Sequence, residues 1–399
     1  MKRNYYILSI LFILIFVGCG QKIEQPPVEI EIPENGYIFF NTKGEIKTKG
    51  ELIEGHLYDD FAVIGYSYPF RDDWNTVKVM ATPNVLTDVN NNYVASKQIE
   101  WDGSSHVYSP LAAWKSSQKY SFFAYYPYST ENPAPSGINY EGEPFITYTL
   151  ASRNDPDNLV DVMTSYVLNT FVTESQNKNV DFKMEHRLSA IDIIASNFND
   201  NVNGKPVYVK ISDLTIRFAN LLYDKVVIPL NTKESSAFGT KTKARNTGAE
   251  YTIIGTNNSI MSSPCLQDLD GNGEADGDTP LTYGTDANGN TLNKSLIVIP
   301  QKISEVESLV GANYRLTATL TFKYSYVYSD GSLVEYNKED GSGTEIVNNV
   351  AATKIVEFEK DLSAGRRYYL QMSFSRSNVT IAIVETNTWT KKSITHTFE

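Results

Sequence analysis

Residues 314–328 read YRLTATLTFKYSYVY, and their alternation decides the fold class. Leu316, Ala318, Leu320, Phe322 and Tyr324 fall on one face of an extended chain, with Thr317, Thr319, Thr321 and Lys323 on the other. Successive side chains of a strand point to opposite sides, so a period of two predicts a strand with one buried and one wet face. Working outward, the same texture recurs at residues 36–42, 57–68, 76–82, 120–129, 143–150 and 160–168. A second set covers residues 180–196, 207–223, 225–232, 296–301, 353–360, 366–375 and 378–386. Turn chemistry separates them, as in Asn90-Asn91-Asn92 and Asp102-Gly103-Ser104-Ser105. Short strands at this spacing predict β-sandwiches, and no stretch of twelve residues carries a helical period.

The composition agrees. Twenty-six Tyr and 18 Phe supply bulk suited to strands, and 399 residues are enough for two or three units of about 150. Two cysteines exclude a disulfide scaffold. A net charge of −12 with no basic block excludes nucleic acid as a partner. A polar patch at residues 172–179 (VTESQNKN) sets the expected boundary, with sandwiches over 37–175 and 176–399. Residues 231–250 and 262–295, rich in polar residues and Gly, are expected as long surface loops.

At the N-terminus, Lys2 and Arg3 precede the apolar run Ile7–Val17, which ends at Gly18-Cys19. Eleven residues are too few to span a bilayer, which takes about 20, so residues 1–18 read as a signal peptide. Gly18-Cys19 resembles a bacterial lipobox, which implies cleavage before Cys19 and acylation of its sulfur and new amine, an anchor of several acyl chains. The alternative is an ordinary secretory signal with Cys19 there by chance. Residues 19–36, with three prolines, then form a tether in which Val28, Ile30 and Ile32 alternate with glutamates.

Catalytic motifs are missing from the sequence. His56, His106, His186 and His396 lie far apart without metal-ligand spacing, and no nucleophile elbow or phosphate-binding glycine loop occurs. His186 is expected at the edge of a core with its ring nitrogen satisfied by a neighbour. One acidic segment has the spacing of a calcium loop: Asp268, Asp270, Asn272 and Asp276 occupy positions 1, 3, 5 and 9, with Gly273 at 6. Position 12 is Thr279, so the bidentate carboxylate is replaced, and a solvated acidic loop is the alternative to Ca²⁺ binding. The aromatic run Phe122–Tyr126 reads as core on one face and surface tyrosine on the other; exposed, it would suit sugar stacking.

Six segments in order carry a family resemblance. Trp114–Pro127 (WKSSQKYSFFAYYP), Asp161–Tyr166 (DVMTSY) and Val180–Ile193 (VDFKMEHRLSAIDI) resemble strands of the fimbrillin-like family, the type V pilins. So do residues 296–301 (LIVIPQ), residues 365–374 (GRRYYLQMSF) and the closing Trp389. The resemblance implies an all-β protein of two tandem transthyretin-like β-sandwich domains behind a lipoprotein signal peptide. It implies a lipidated subunit of a fimbrium at the outer membrane and cell surface (shaft, tip or anchor), with the membrane reached through Cys19. Its partners would be other fimbrial subunits, joined by β-strand addition, and a host or bacterial surface receptor. The family pattern also implies a trypsin-like cut in the segment Lys47-Thr48-Lys49-Gly50, releasing the first strand. A solvated hairpin loop is the alternative there. If cutting occurs, Tyr37–Thr42 is the expected released strand and the last ten residues, with Ile394, His396 and Phe398 on one face, the expected donor. A non-polymerising glycan-binding surface lipoprotein is the alternative function.

Overall fold

A computed structural model describes residues 36–43, 57, 59–128, 138–139, 143–150, 159–172, 178–197, 201–221, 223–231, 241–243, 250–255, 258–261, 278–285, 291–293, 295–312, 314–376 and 378–386. The longer strands of the first half are β1 (Ile38–Lys43), β2 (Phe61–Pro69), β3 (Lys97–Trp101), β5 (Gln118–Tyr126), β6 (Phe145–Thr149), β7 (Met163–Thr170) and β8 (Lys178–Lys183), with the two-residue β4 (His106–Val107) at one edge. The second half supplies β9 (Ser189–Asn197), β10 (Tyr208–Ala219), β11 (Tyr223–Pro229), β12 (Thr317–Val327), β13 (Val350–Glu357), β14 (Arg367–Ser375) and β15 (Asn378–Thr386). Two short helices, α1 (Trp74–Val77) and α2 (Ile303–Val310), are the helices among the described residues, so the expected all-β class holds.

The first sheet runs β7-β5-β2-β3-β4, antiparallel, with Glu185–His186 added beyond β7. It is buried on both faces. Phe61, Val63, Tyr120, Phe122, Ala124, Tyr126 and Met163 enter one apolar cluster, whereas Ala62, Ile64, Tyr66, Tyr68, Phe123 and Tyr125 enter another. The aromatic run Phe122–Tyr126 therefore has no wet side, contrary to the alternation read from it: every residue from Tyr120 to Tyr126 is buried. A strand in the middle of a sheet covered on both faces reads as a continuous apolar run.

Over the first face lies a parallel ladder of two strands, β1 with β8, in register Phe40↔Val180 and Thr42↔Phe182. Val180, Phe182 and Met184 join Ile38 and Phe40 in the same cluster. The expected boundary after residue 175 assigned this segment to the second unit. Its period-two apolar residues instead complete the first core, which extends to His186, paired with Met163 of β7. The second face is covered by Trp74 and by β6, whose strand pairs antiparallel with β11 of the second half, Ile146 opposite Ile228. One apolar cluster consequently runs from Ile64 and Trp74 through Tyr148 to Ile228 and Leu320.

In the second half, β9, β14 and β15 form one sheet and β10, β12 and β13 another, meeting where the Phe322 and Phe374 rings pack edge to face, 5.9 Å apart. Along β12, Leu316, Ala318, Leu320 and Phe322 are buried as the alternation requires. Tyr324 is only half-buried, and Ser325 to Val327 are all buried. The alternation ends there because residues 333–347 fold over this end: the Val334 and Tyr326 amides donate to the Tyr326 and Val347 carbonyls.

Two expectations fail locally. Residues 76–82 form no strand; the chain turns through α1 so that Trp74 packs against Tyr66 and Phe123, which leaves Val79 and Met80 exposed. Part of the expected surface loop 262–295 is core. Leu281 and Thr282 are fully buried, because Asp278–Pro280 pairs with β9 and carries them inward.

Candidate functional site

The site built most completely from local sequence is the docking of β1. Period-two geometry turns Ile38, Phe40 and Thr42 inward, all buried, and leaves Tyr37, Phe39 and Asn41 half-buried. Phe40 is enclosed by three rings: Phe182 at 5.9 Å, stacked, Phe122 at 5.2 Å, edge-on, and Tyr108 at 5.3 Å, tilted. Thr42 Oγ1 accepts the Leu57 amide at 3.1 Å. The backbone attachment is lopsided. Six residue pairs bond β1 to β8 along one edge. On the other edge, the bonds among the described residues cluster at the start: Ile38 N to the Ala112 carbonyl at 2.9 Å and Trp114 N to the Gly36 carbonyl at 3.1 Å.

Tyr108 fastens that start. Its hydroxyl donates to the Ile38 carbonyl at 2.8 Å and accepts the Ala112 amide at 3.2 Å. Burial pushes its phenol well above the usual tyrosine range, so it stays a neutral donor. Sequence reading passed over Tyr108; its context, Val107-Tyr108-Ser109-Pro110, carries no signal beyond an aromatic at a strand end.

The sequence-derived sites divide by position. Cys19, Lys47, Lys49, Asp268, Asp270, Asn272 and Asp276 lie outside the described residues, as do Trp389 and the last ten residues. Of the calcium-type loop only Asp278 and Thr279 are described, in the strand paired with Ser196 and Ala195. Among the described residues no group of His, Cys, Asp and Glu is arranged to hold a metal ion. His186 stands as expected at the core edge, its Nδ1 against Asp161 Oδ2. His106 packs between Phe61 and Trp101, with ring centroids at 4.9 and 5.0 Å.

A buried ionic network in the second half also went unread. Arg367 Nε lies 3.0 Å from Asp192 Oδ2, both side chains almost fully buried. Asp192 Oδ1 accepts the hydroxyls of Thr282 at 3.0 Å and Ser295 at 2.5 Å. The signal was there: Asp192 interrupts the apolar run Ala190–Ala195, and a charge at such a position needs a buried partner.

The described residues define an all-β, sandwich-type chain in which β1 is held by a parallel neighbour and a cage of aromatic rings. The chain belongs to the fimbrillin-like family, whose sequence model matches residues 69–389. It is 26% identical over 198 residues to fimbrium subunit Fim1C of Phocaeicola vulgatus, covering 46% of this chain and 49% of that one. The chain thus spans about half the length of the curated relative it matches. Among solved structures, a fimbrial protein from Bacteroides vulgatus superposes with a TM-score of 0.52 at 18% identity, over 89% of this chain and 99% of that one, a likeness of fold.

Proposed function

We propose that the chain is a non-catalytic structural or adhesive subunit of a surface fimbrium, anchored to the outer membrane through lipid on Cys19 and joined to other subunits by β-strand addition. The observation that carries this reading is the seating of β1: a parallel ladder to β8 along one edge, with its apolar residues inserted in the core. Once the chain beyond it is cut, such a strand can depart as a unit. It would leave the β8 backbone groups unpaired beside an apolar groove lined by Tyr108, Phe122 and Phe182. Such an edge and groove take an extended segment from another chain. Cutting at Lys47 or Lys49 would detach β1 from the rest of the chain, and residues 390–399 would supply the donor. Two apolar side chains buried by that donor contribute roughly 1.5–3 kcal/mol each, before its backbone hydrogen bonds are counted. Family membership and the fimbrial relatives support the same reading.

The test is direct. Full-length protein is treated with trypsin, run on unheated gels, and its new N-terminus sequenced. A start near residue 48 or 50 together with a ladder of multimers is expected. Protein cut there that stays monomeric removes strand exchange from the reading. Deleting residues 390–399 should leave a folded, lipidated monomer; continued polymerisation would assign the donor elsewhere.

A further inference from the structure

Tyr108 lines a second feature besides the β1 groove: a cleft of ≈ 460 Å³ whose walls include Ser96, Lys97, Gln98, Glu100 and Tyr128. That volume falls in the range of about 300–1,000 Å³ found for small-molecule sites. We infer that this cleft binds a saccharide, one terminal sugar ring of a glycan. The inference stands whether or not the chain polymerises.

The polar groups are fixed before any ligand arrives. Gln98 and Glu100 lie two apart on β3 and so share a face, while Ile99 between them enters the core. Asp60 Oδ2 accepts Gln98 Nε2 at 2.7 Å, and Asp60 Oδ1 accepts the Trp101 amide at 2.9 Å. An ionised carboxylate only accepts, so the amide NH₂ must face Asp60 and Oε1 is turned away from it, an acceptor in fixed orientation. Lys97 Nζ donates to the carbonyls of Thr87 at 3.0 Å and Ser109 at 2.5 Å, which pins the ammonium and leaves one of its three protons to give. Glu100 is exposed and has no ion-pair partner among the described residues. The half-buried Tyr128 adds an aromatic surface, and Val94 and Val107 add apolar wall.

This inventory selects a ligand class. One cation and one anion on the walls favour a neutral molecule over an ion of either sign. A carboxylate and one amide oxygen fall far short of the six to eight oxygens a Ca²⁺ ion takes. Gln98 Oε1 and Glu100 as acceptors and Lys97 Nζ as donor, with the Ser96 hydroxyl and an aromatic surface beside them, match a ring with adjacent hydroxyls on its edge and C–H groups on its face, which is a pyranose.

The experiment titrates full-length protein with the methyl glycosides of glucose, galactose, mannose, fucose, N-acetylglucosamine and N-acetylgalactosamine, read by saturation-transfer NMR. At least one glycoside should show transfer. Because the acceptor loses its charge, and with it about half the strength of the hydrogen bond, Glu100→Gln should weaken that binding several-fold, roughly three- to tenfold, while the melting temperature is unchanged. Tyr128→Ala should abolish transfer to the ring C–H protons. Should Tyr128→Ala fold poorly, the exposed Glu100→Gln still decides the matter. Absence of transfer from every glycoside overturns the proposal, and so does binding that Glu100→Gln leaves at full strength.

Discussion

The rings of Phe40 and Phe182 lie stacked, 5.9 Å between centroids and 20° from coplanar, across a parallel pair of strands. Side-chain insertion helps the ladder with β8 to hold β1 in place.

Replacing Phe40 with Ala should cost about 3–5 kcal/mol of stability, the range for truncating a buried aromatic. The half-exposed Phe39 should cost about 1 kcal/mol, since surface and half-buried positions tolerate change far better. Denaturant midpoints of the two variants check this. A larger loss at Phe39 than at Phe40 would mean that β1 sits in another register, because a slip of one residue exchanges its two faces.

Breaking the Asp192–Arg367 pair on one side should be more damaging than removing both charges. Arg367→Leu leaves Asp192 buried with only two hydroxyl donors, at a cost of about 3–5 kcal/mol. Combining Asp192→Leu with Arg367→Leu should recover part of that loss. A double variant less stable than either single would show that the network, with Thr282 and Ser295, outweighs its desolvation cost.

Alkaline pH should unfold the protein through its buried tyrosines. Burial pushes Tyr125 up to about 12, and Tyr66, Tyr108, Tyr126 and Tyr148 further still. The unfolded phenol titrates near pH 10. The folded state holds these protons more tightly, so the stability they contribute is full below pH ~10 and declines as pH rises from there through 12. Tyrosinate absorbance from this set should therefore rise together with loss of near-ultraviolet circular dichroism. A complete tyrosinate rise near pH 10, from all 26 tyrosines and with the dichroism intact, would contradict their burial.

Cys19→Ala should abolish incorporation of labelled fatty acid and shift the protein out of the membrane fraction. Unchanged labelling would place the lipid on another residue, and unchanged fractionation without label would require an anchor other than lipid.

The strands were legible wherever one face is wet, because there the period of two survives in the residues; β12 between Leu316 and Phe322 is the clearest case. The reading faltered where burial is two-sided or set by distant segments. Phe122–Tyr126 looked half-exposed because a sequence does not say that Trp74 and β6 cover the second face. β8 was assigned forward because its partner, β1, lies 140 residues earlier. Of the docking site, the bulky strand from Tyr37 to Thr42 could be read in advance, whereas Tyr108, which fastens its first carbonyl, could not. Thr282 and Ser295 sat in a polar stretch whose composition matches solvent, and only their bonds to Asp192 reveal them as interior.

Among the described residues β1 pairs in parallel with β8 and β9 with β14, and this sets the order of events during synthesis. β1 waits for residues 178–183, and β9 for residues 367–374, before either gains its parallel neighbour. Contacts between such distant positions carry a large loop-closure cost and slow the search for the native state. As the chain emerges from its N-terminal side, the backbone edge of β9 that takes β14 stays unpaired until residues 367–374 have appeared. Completion of this sheet therefore waits for β14, and a chain stopped before residue 367 lacks the parallel neighbour of β9.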